Sequence, residues 1–188
     1  IGQAQDGAAA LEMIARFQPD VVTLDLVMPV LDGLETLKKI RQNESPPAVL
    51  MVSAHTPAEA EITLDCLAAG AVDFVLKPSE ADAWGLDKVA PQLLEKVYAA
   101  ANVRPRAPSP YGSTPTGGKI LNKSEDKREY KSQVQHFDAV VIGSSTGGPV
   151  ALEYLLPRLP GDFSCPVLVA QHMPAGFVET LAERLGGH

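Results

Sequence analysis

Apolar positions in the first hundred residues alternate between two periods. Ala10, Ile14 and Phe17 recur at helical spacing after Asp6, a suitable N-cap, and Pro19 follows the helix end. Val21-Val22-Thr23-Leu24-Asp25-Leu26 is a nearly continuous apolar run, the pattern of a strand buried on both faces. Leu34, Leu37 and Ile40 predict a second helix, and Ala48-Val49-Leu50-Met51-Val52 a second buried strand. Ile62, Cys66 and Ala69 predict a helix face that Gly70 can terminate. Residues 72–76 read as a third strand and residues 86–102 as a closing helix. Strand–helix alternation at this spacing implies right-handed crossovers and a parallel, doubly wound α/β sheet.

Residues 103–135 break the pattern. Pro105, Pro108, Pro110 and Pro115 fall among Gly112, Gly117, Gly118 and several Ser and Thr residues. Too few apolar side chains are present to offset the entropy of ordering, so the stretch reads as a linker. Alternation then resumes, with strands over 137–142 and 167–170 and helices over 150–156 and 177–185. The chain thus divides into a unit at 1–102, a linker at 103–135 and a second unit at 136–188. About 50 residues do not easily close a doubly wound domain, so the second unit is expected to be the start of a larger one.

Charge narrows the choice of partner. The net charge is −8 over residues 1–100, +4 over 101–135 and −3 over 136–188. Two acidic units argue against a nucleic-acid-binding surface on either. Cys66 and Cys165 match no paired or metal-ligand spacing and read as small core residues of a reducing compartment. No apolar run approaches the roughly 20 residues needed to cross a bilayer, and no secretion signal opens the chain. Ile1-Gly2-Gln3-Ala4 has the look of a strand tail, so a piece of a longer protein is expected.

Asp25 stands near the carboxyl end of a predicted strand, the edge where open parallel sheets bind ligands. The next strand ends in Ser53-Ala54 and the third in Lys77-Pro78. An acid, a hydroxyl and an amine from one edge suit phosphoryl transfer onto a carboxylate. Asp25 would be the nucleophile, while Ser53 and Lys77 would hold phosphoryl oxygens. Taken singly, a strand-end Asp is more often a cap or ion-pair partner, a Ser there a turn residue, and Phe74 a core residue. The joint spacing favours the functional reading.

Asp25 with Met28-Pro29, Asp32-Gly33, Ser53-Ala54 and Lys77-Pro78 resembles the response-regulator receiver domains. The resemblance implies a flavodoxin-like parallel sheet. It makes Asp25 the phosphoacceptor, Lys77 the essential amine, Ser53 the switch hydroxyl and Phe74 the switch aromatic. It also implies Mg²⁺, bound in part by Asp25 and by the backbone carbonyl of Val27. Receivers add an acidic pair at the end of a first strand. Asp6 and Asp20 stand in the wrong context for that pair, so the first strand is expected to be missing and Mg²⁺ binding weak.

The second unit opens with Val140-Val141-Ile142-Gly143-Ser144-Ser145-Thr146-Gly147-Gly148-Pro149. A phosphate-cradling loop would end in Gly-Lys-Ser/Thr, and a dinucleotide loop would carry Gly at position 145. Gly143-x-Ser145-x-Gly147 instead fits a nucleophile turn, in which glycines allow the sharp bend and the following helix start offers N–H groups to an oxyanion. His172, at the end of the next strand and 27 residues after Ser145, is the candidate base. Seen alone, a strand-end His is more often structural. His55, His136 and His188 have no such context. No Asp follows Asp162, and Glu179 and Glu183 fall inside a predicted helix, so an orienting carboxylate is expected beyond residue 188.

The run Gly143–Gly148 with Gln171-His172-Met173-Pro174 resembles the start of the catalytic domain of the chemotaxis protein-glutamate methylesterases. The order receiver, linker, turn is also that family's. The resemblance implies a cytoplasmic response regulator whose Ser145 attacks glutamyl methyl esters of methyl-accepting chemoreceptors, with His172 as base and Thr146 beside the nucleophile. It implies deamidation of receptor glutamines by the same acyl-enzyme route. A chemotaxis histidine kinase would phosphorylate Asp25, and the membrane would be approached only through the receptors. Two other readings stay open: a receiver fused to another α/β serine hydrolase, and a non-catalytic receptor-binding adaptor. These 188 residues alone are expected to be nearly inactive.

Overall fold

The computed structural model describes residues 1–54, 56–78, 85–102 and 137–187, without the side chains of 85–88. The expected linker at 103–135 lies outside the described residues, as do His55, His136 and His188.

Local signals set the first elements. Helix α1 (Gly7–Phe17) starts where the Asp6 side chain accepts the Ala9 N–H at 2.8 Å, and ends at Gln18 in a left-handed conformation. Strand β1 (Val21–Asp25) is followed by α2 (Gly33–Ile40), capped by Asp32, which accepts the Glu35 N–H. Strand β2 (Ala48–Ser53) leads to α3 (Pro57–Ala68), capped by Thr56, with Pro57 in its first turn. Gly70, at φ 105°, turns the chain out of α3 into β3 (Asp73–Leu76). Helix α4 (Gly85–Ala101) closes the unit.

The three strands pair in parallel in the order β1-β2-β3, with Asp25 opposite Val52 and Ser53 opposite Leu76. Asp25, Ser53 and Lys77 therefore leave the sheet at one edge. Strand β2 is buried almost throughout, as its apolar run predicted. Strand β1 is not: only Leu24 is buried.

A second parallel pair follows. Strand β4 (Val140–Ser144) lies in register with β5 (Val167–Gln171), so Ser144 faces Gln171. Helix α5 (Gly148–Leu155) runs into a 3-10 turn at Leu156–Arg158, and α6 (Ala175–Gly186) follows β5. Strand β4 begins three residues later than the pattern suggested, and Phe137 is exposed.

The two units share one apolar core. Leu152 of α5 and Phe177 and Leu181 of α6 join Leu64, Leu67, Phe74 and the rest of the first core in one buried cluster. The rings of Phe74 and Phe177 stack with centroids 4.6 Å apart. Arg184 of α6 ties the same interface with charge, bonding Asp65 of α3 at 2.6 Å and Glu153 of α5.

Three expected core residues lie elsewhere. Phe17 is exposed beneath the Arg16 guanidinium. Ile62 is 40% exposed, because the buried stripe of α3 runs Ala60, Thr63, Leu64, Leu67 and carries Ile62 round to solvent. Cys66 is buried, but Cys165 precedes β5, is only partly covered, and donates its thiol to the Phe137 carbonyl at 2.8 Å.

Candidate functional site

At the first sheet edge, Asp25 and Lys77 meet. Lys77 Nζ lies 2.7 Å from Asp25 Oδ2, and Asp25 Oδ1 accepts the Val27 N–H at 3.2 Å. Both side chains remain about a third exposed, so the pair is open to a substrate from solvent. Ser53 belongs to the same edge but is fully buried. Its hydroxyl is held by neighbours: Glu59 Oε2 at 3.3 Å, the Ala54 carbonyl at 3.1 Å and Thr63 Oγ1 at 3.0 Å. Phe74 is buried in the shared core, stacked on Phe177.

Receiver domains as a class use Mg²⁺ in phosphorylation. Here the Asp25 carboxylate and the Val27 carbonyl are the two expected ligands, and both carboxylate oxygens already have partners. Among the described residues no group of three or more His, Cys, Asp or Glu side chains is arranged to hold a metal. Mg²⁺ wants a near-octahedral set of oxygens, so the residues present do not make a metal site by themselves.

At the second edge, Ser145 Oγ lies 3.4 Å from His172 Nδ1. That is long for a hydrogen bond, in the range that unliganded catalytic pairs often show. The turn that carries Ser145 is fixed from below. Ser144 Oγ donates to Gln171 Oε1 at 2.6 Å, Gln171 Nε2 donates to the Ser145 carbonyl at 2.9 Å, and the His172 N–H donates to the Ser144 carbonyl at 2.8 Å. Gly147 supplies a left-handed turn at φ 75°. Gly148 then passes so close to Gln171 that a Cβ there would overlap Gln171 Oε1. Ser145 and His172 are exposed, and among the described residues no carboxylate bonds the His172 ring.

The receiver unit forms the other wall of this site. A cleft of about 240 Å³ is lined by Ser145, Thr146 and His172 on one side and by Asp73, Phe74 and Lys96 on the other. Thr146 Oγ1 donates to Asp73 Oδ2 at 2.7 Å, and Lys96 Nζ lies 2.8 Å from the same oxygen. Asp73 Oδ1 accepts the Phe74 N–H at 2.8 Å. One nearly buried carboxylate thus joins the residue beside Ser145 to the backbone of Phe74.

Glu59, Asp73, Lys96 and Gln171 carried no chemical signal of their own in the sequence. Only Gln171 had a pointer, its place beside His172 at a strand end. The other three act through tertiary contacts, Glu59 and Lys96 with the strand just before their own helix and Asp73 with Thr146, 73 residues away.

A parallel-sheet receiver joined to a strand, nucleophile-type turn and helix defines a response regulator carrying a hydrolase-like second unit. The response regulator receiver domain family matches residues 1–84, and the CheB methylesterase family matches residues 140–188. The chain belongs to the CheB family of response-regulator methylesterases. A protein-glutamate methylesterase/protein-glutamine glutaminase of Bacillus licheniformis is 42% identical over 187 residues, 98% of this chain and 51% of that protein. The protein of that name from Thermotoga maritima is 42% identical over 186 residues, 98% of this chain and 50% of that one. The crystal structure of the response regulator domain of Thermotoga maritima CheB is 45% identical, with a TM-score of 0.50, and the match covers 56% of this chain and 78% of that one. The chain spans about half the length of the curated relatives it matches. Among the described residues no helix is long and apolar enough to cross a membrane.

Proposed function

We propose that the protein is a chemotaxis response regulator that hydrolyses glutamate methyl esters, and deamidates glutamines, on chemoreceptors when Asp25 is phosphorylated. Residues 1–102 would be the receiver, 103–135 the linker and 136–188 the beginning of the catalytic unit. The observation that carries the reading is the Ser145–His172 pair, 3.4 Å apart on a Gly-x-Ser-x-Gly turn whose cleft has a receiver wall.

In this reading His172 Nδ1 takes the Ser145 proton as Ser145 Oγ attacks the side-chain ester carbonyl. The tetrahedral oxyanion forms beside Thr146 and the start of α5, where a helix's first N–H groups lack intrahelical partners. The C–O bond then breaks, and methanol leaves with the proton from His172. Water attacks the acyl-enzyme by the same route and leaves a glutamate carboxylate. The Ser144–Gln171 bonds hold the turn in place.

Phosphorylation would be the control. A histidine kinase transfers a phosphoryl group to Asp25, which is paired with Lys77. Rearrangement of Phe74 would then break its stack with Phe177 and pull Asp73 from Thr146, shifting a docking equilibrium. The setting is cytoplasmic, with the membrane reached through receptors.

The test is methanol release from methylated receptor by the full-length protein and its Ser145→Ala variant. An unchanged rate in the variant would sink the nucleophile assignment. Acid-labile phosphate that survives Asp25→Asn would sink the phosphosite.

A further inference from the structure

At the C-terminal edge of β2, two donors point at one atom. The Ala54 N–H reaches Glu59 Oε2 at 2.6 Å, and the Ser53 hydroxyl, whose one proton is shared between this oxygen at 3.3 Å and the Ala54 carbonyl at 3.1 Å, is the second. Thr63, one turn further along α3, braces the arrangement. Its hydroxyl lies 2.6 Å from the Glu59 carbonyl and 3.0 Å from Ser53 Oγ. The Lys77 N–H donates to the Ser53 carbonyl at 2.7 Å, so the backbone bearing Ser53 is joined to the backbone bearing Lys77.

Helix capping does not account for the Glu59 side chain. Thr56-Pro57-Ala58-Glu59 has the spacing of a capping box, and the Glu59 N–H does bond Thr56 Oγ1 at 3.2 Å. In a capping box the Glu carboxylate would return to the N-cap N–H, here Thr56. Instead it passes the cap and takes the N–H of Ala54, two residues earlier, together with the switch-position hydroxyl. A backbone N–H and a hydroxyl converging on an anionic oxygen is the donor set that a phosphoryl oxygen needs.

We propose that Glu59 is an internal latch, its carboxylate occupying the Ser53 and Ala54 donors that a phosphoryl group on Asp25 would use. Two anions cannot share these donors at close range, so the Glu59 carboxylate has to withdraw as phospho-Asp25 is bound. The latch therefore lowers the equilibrium extent of phosphorylation and keeps Ser53 turned inward in the resting protein. This inference rests on the reading of Asp25 as phosphoacceptor.

The full-length protein and its Glu59→Ala, Glu59→Gln and Asp25→Asn variants would be incubated with acetyl phosphate, with Mg²⁺ in the buffer. An Asp25 oxygen bonds to phosphorus as the P–O bond to acetate breaks, and acetate leaves with the electron pair. Acid-labile protein phosphate is measured at steady state, and circular dichroism checks folding. The expected ratio of phosphorylated to free protein rises at least about fivefold in Glu59→Ala, the equivalent of one net hydrogen bond. Glu59→Gln falls between, since the amide oxygen can still accept from Ala54. The gain from Glu59→Ala shrinks when Ser53→Ala is added, which a purely structural role of Glu59 would not predict. Equal or lower phosphorylation in a folded Glu59→Ala variant overturns the latch alone. Absence of Asp25-dependent phosphate in every form overturns both the latch and the reading beneath it.

Discussion

Asp73 offers the sharpest test of coupling between the two units. Its carboxylate is nearly buried and accepts from Thr146 at 2.7 Å while pairing with Lys96 at 2.8 Å. Both units contribute to this contact, so Asp73→Ala acts on the docked state more than on either unit alone. A hydrogen bond to a charged group is worth about 1.5–3 kcal/mol, of which the solvent-accessible partners left behind, Thr146 and Lys96, recover part through water. Allowing about half of that, the docking equilibrium shifts by roughly 4- to 12-fold toward the open form. Methanol release by the unphosphorylated full-length protein should rise by that factor. The phosphorylated rate should change little, since in the proposed mechanism that form is already open. Asp73→Asn should show a smaller rise, because an amide oxygen in the Oδ2 position still accepts from Thr146 and Lys96, although the NH₂ then faces the Phe74 N–H. An unchanged unphosphorylated rate, in a variant whose thermal midpoint shows it to be folded, would refute a restraining role for Asp73. Equal slowing of both forms would refute it too, because Asp73 would then be positioning Thr146 for catalysis rather than restraining it.

Three further outcomes follow from local geometry. Gly148→Ala would force its Cβ onto Gln171 Oε1, so the Ser144–Gln171 bond should break and methanol release should fall at least about tenfold, with the fold retained by circular dichroism. Gly70→Ala places a side chain at φ 105° and within 3.3 Å of the buried Arg41, and should cost about 1–3 kcal/mol in a denaturant titration. Burial pushes the Cys66 thiol up to about 12, so at pH 8 a thiol reagent should label Cys165 and spare Cys66 until the protein is unfolded. The sign for stability follows. Between pH 9.0 and about 12 the unfolded Cys66 ionises and the folded one does not, so this residue's contribution is intact below pH 9.0 and is lost as pH rises.

Much of the fold was legible because its signals are local. Asp6, Asp32 and Thr56 each cap a helix through their own side chains, and Gly70 turns the chain at α3's end. The β2 run reads as a buried strand because it is one. The misplacements have one cause. Phe17, Ile62 and β1 were judged from spacing along the chain, but burial is set by what packs alongside. The α3 stripe is rotated to serve both the sheet and α6, which moves Ile62 outward.

The same division runs through the candidate sites. Asp25, Lys77, Ser145 and His172 could be named because parallel strands deliver their ends to a common edge whatever the helices do. Asp73 and Glu59 could not, because each acts through a partner that only packing supplies. Asp73 sits at the start of β3, the end opposite Lys77, and gains its meaning from Thr146, 73 residues later. Phe74 follows it and stacks on Phe177, so one strand start meets both Thr146, the neighbour of Ser145, and the apolar interface. Lys77 leaves the other end of the same four-residue strand to meet Asp25. A strand this short offers little slack between its two ends. If Asp25 is phosphorylated as proposed, a displacement of β3 would reach Thr146, which makes β3 the element joining Asp25 to the Ser145–His172 cleft.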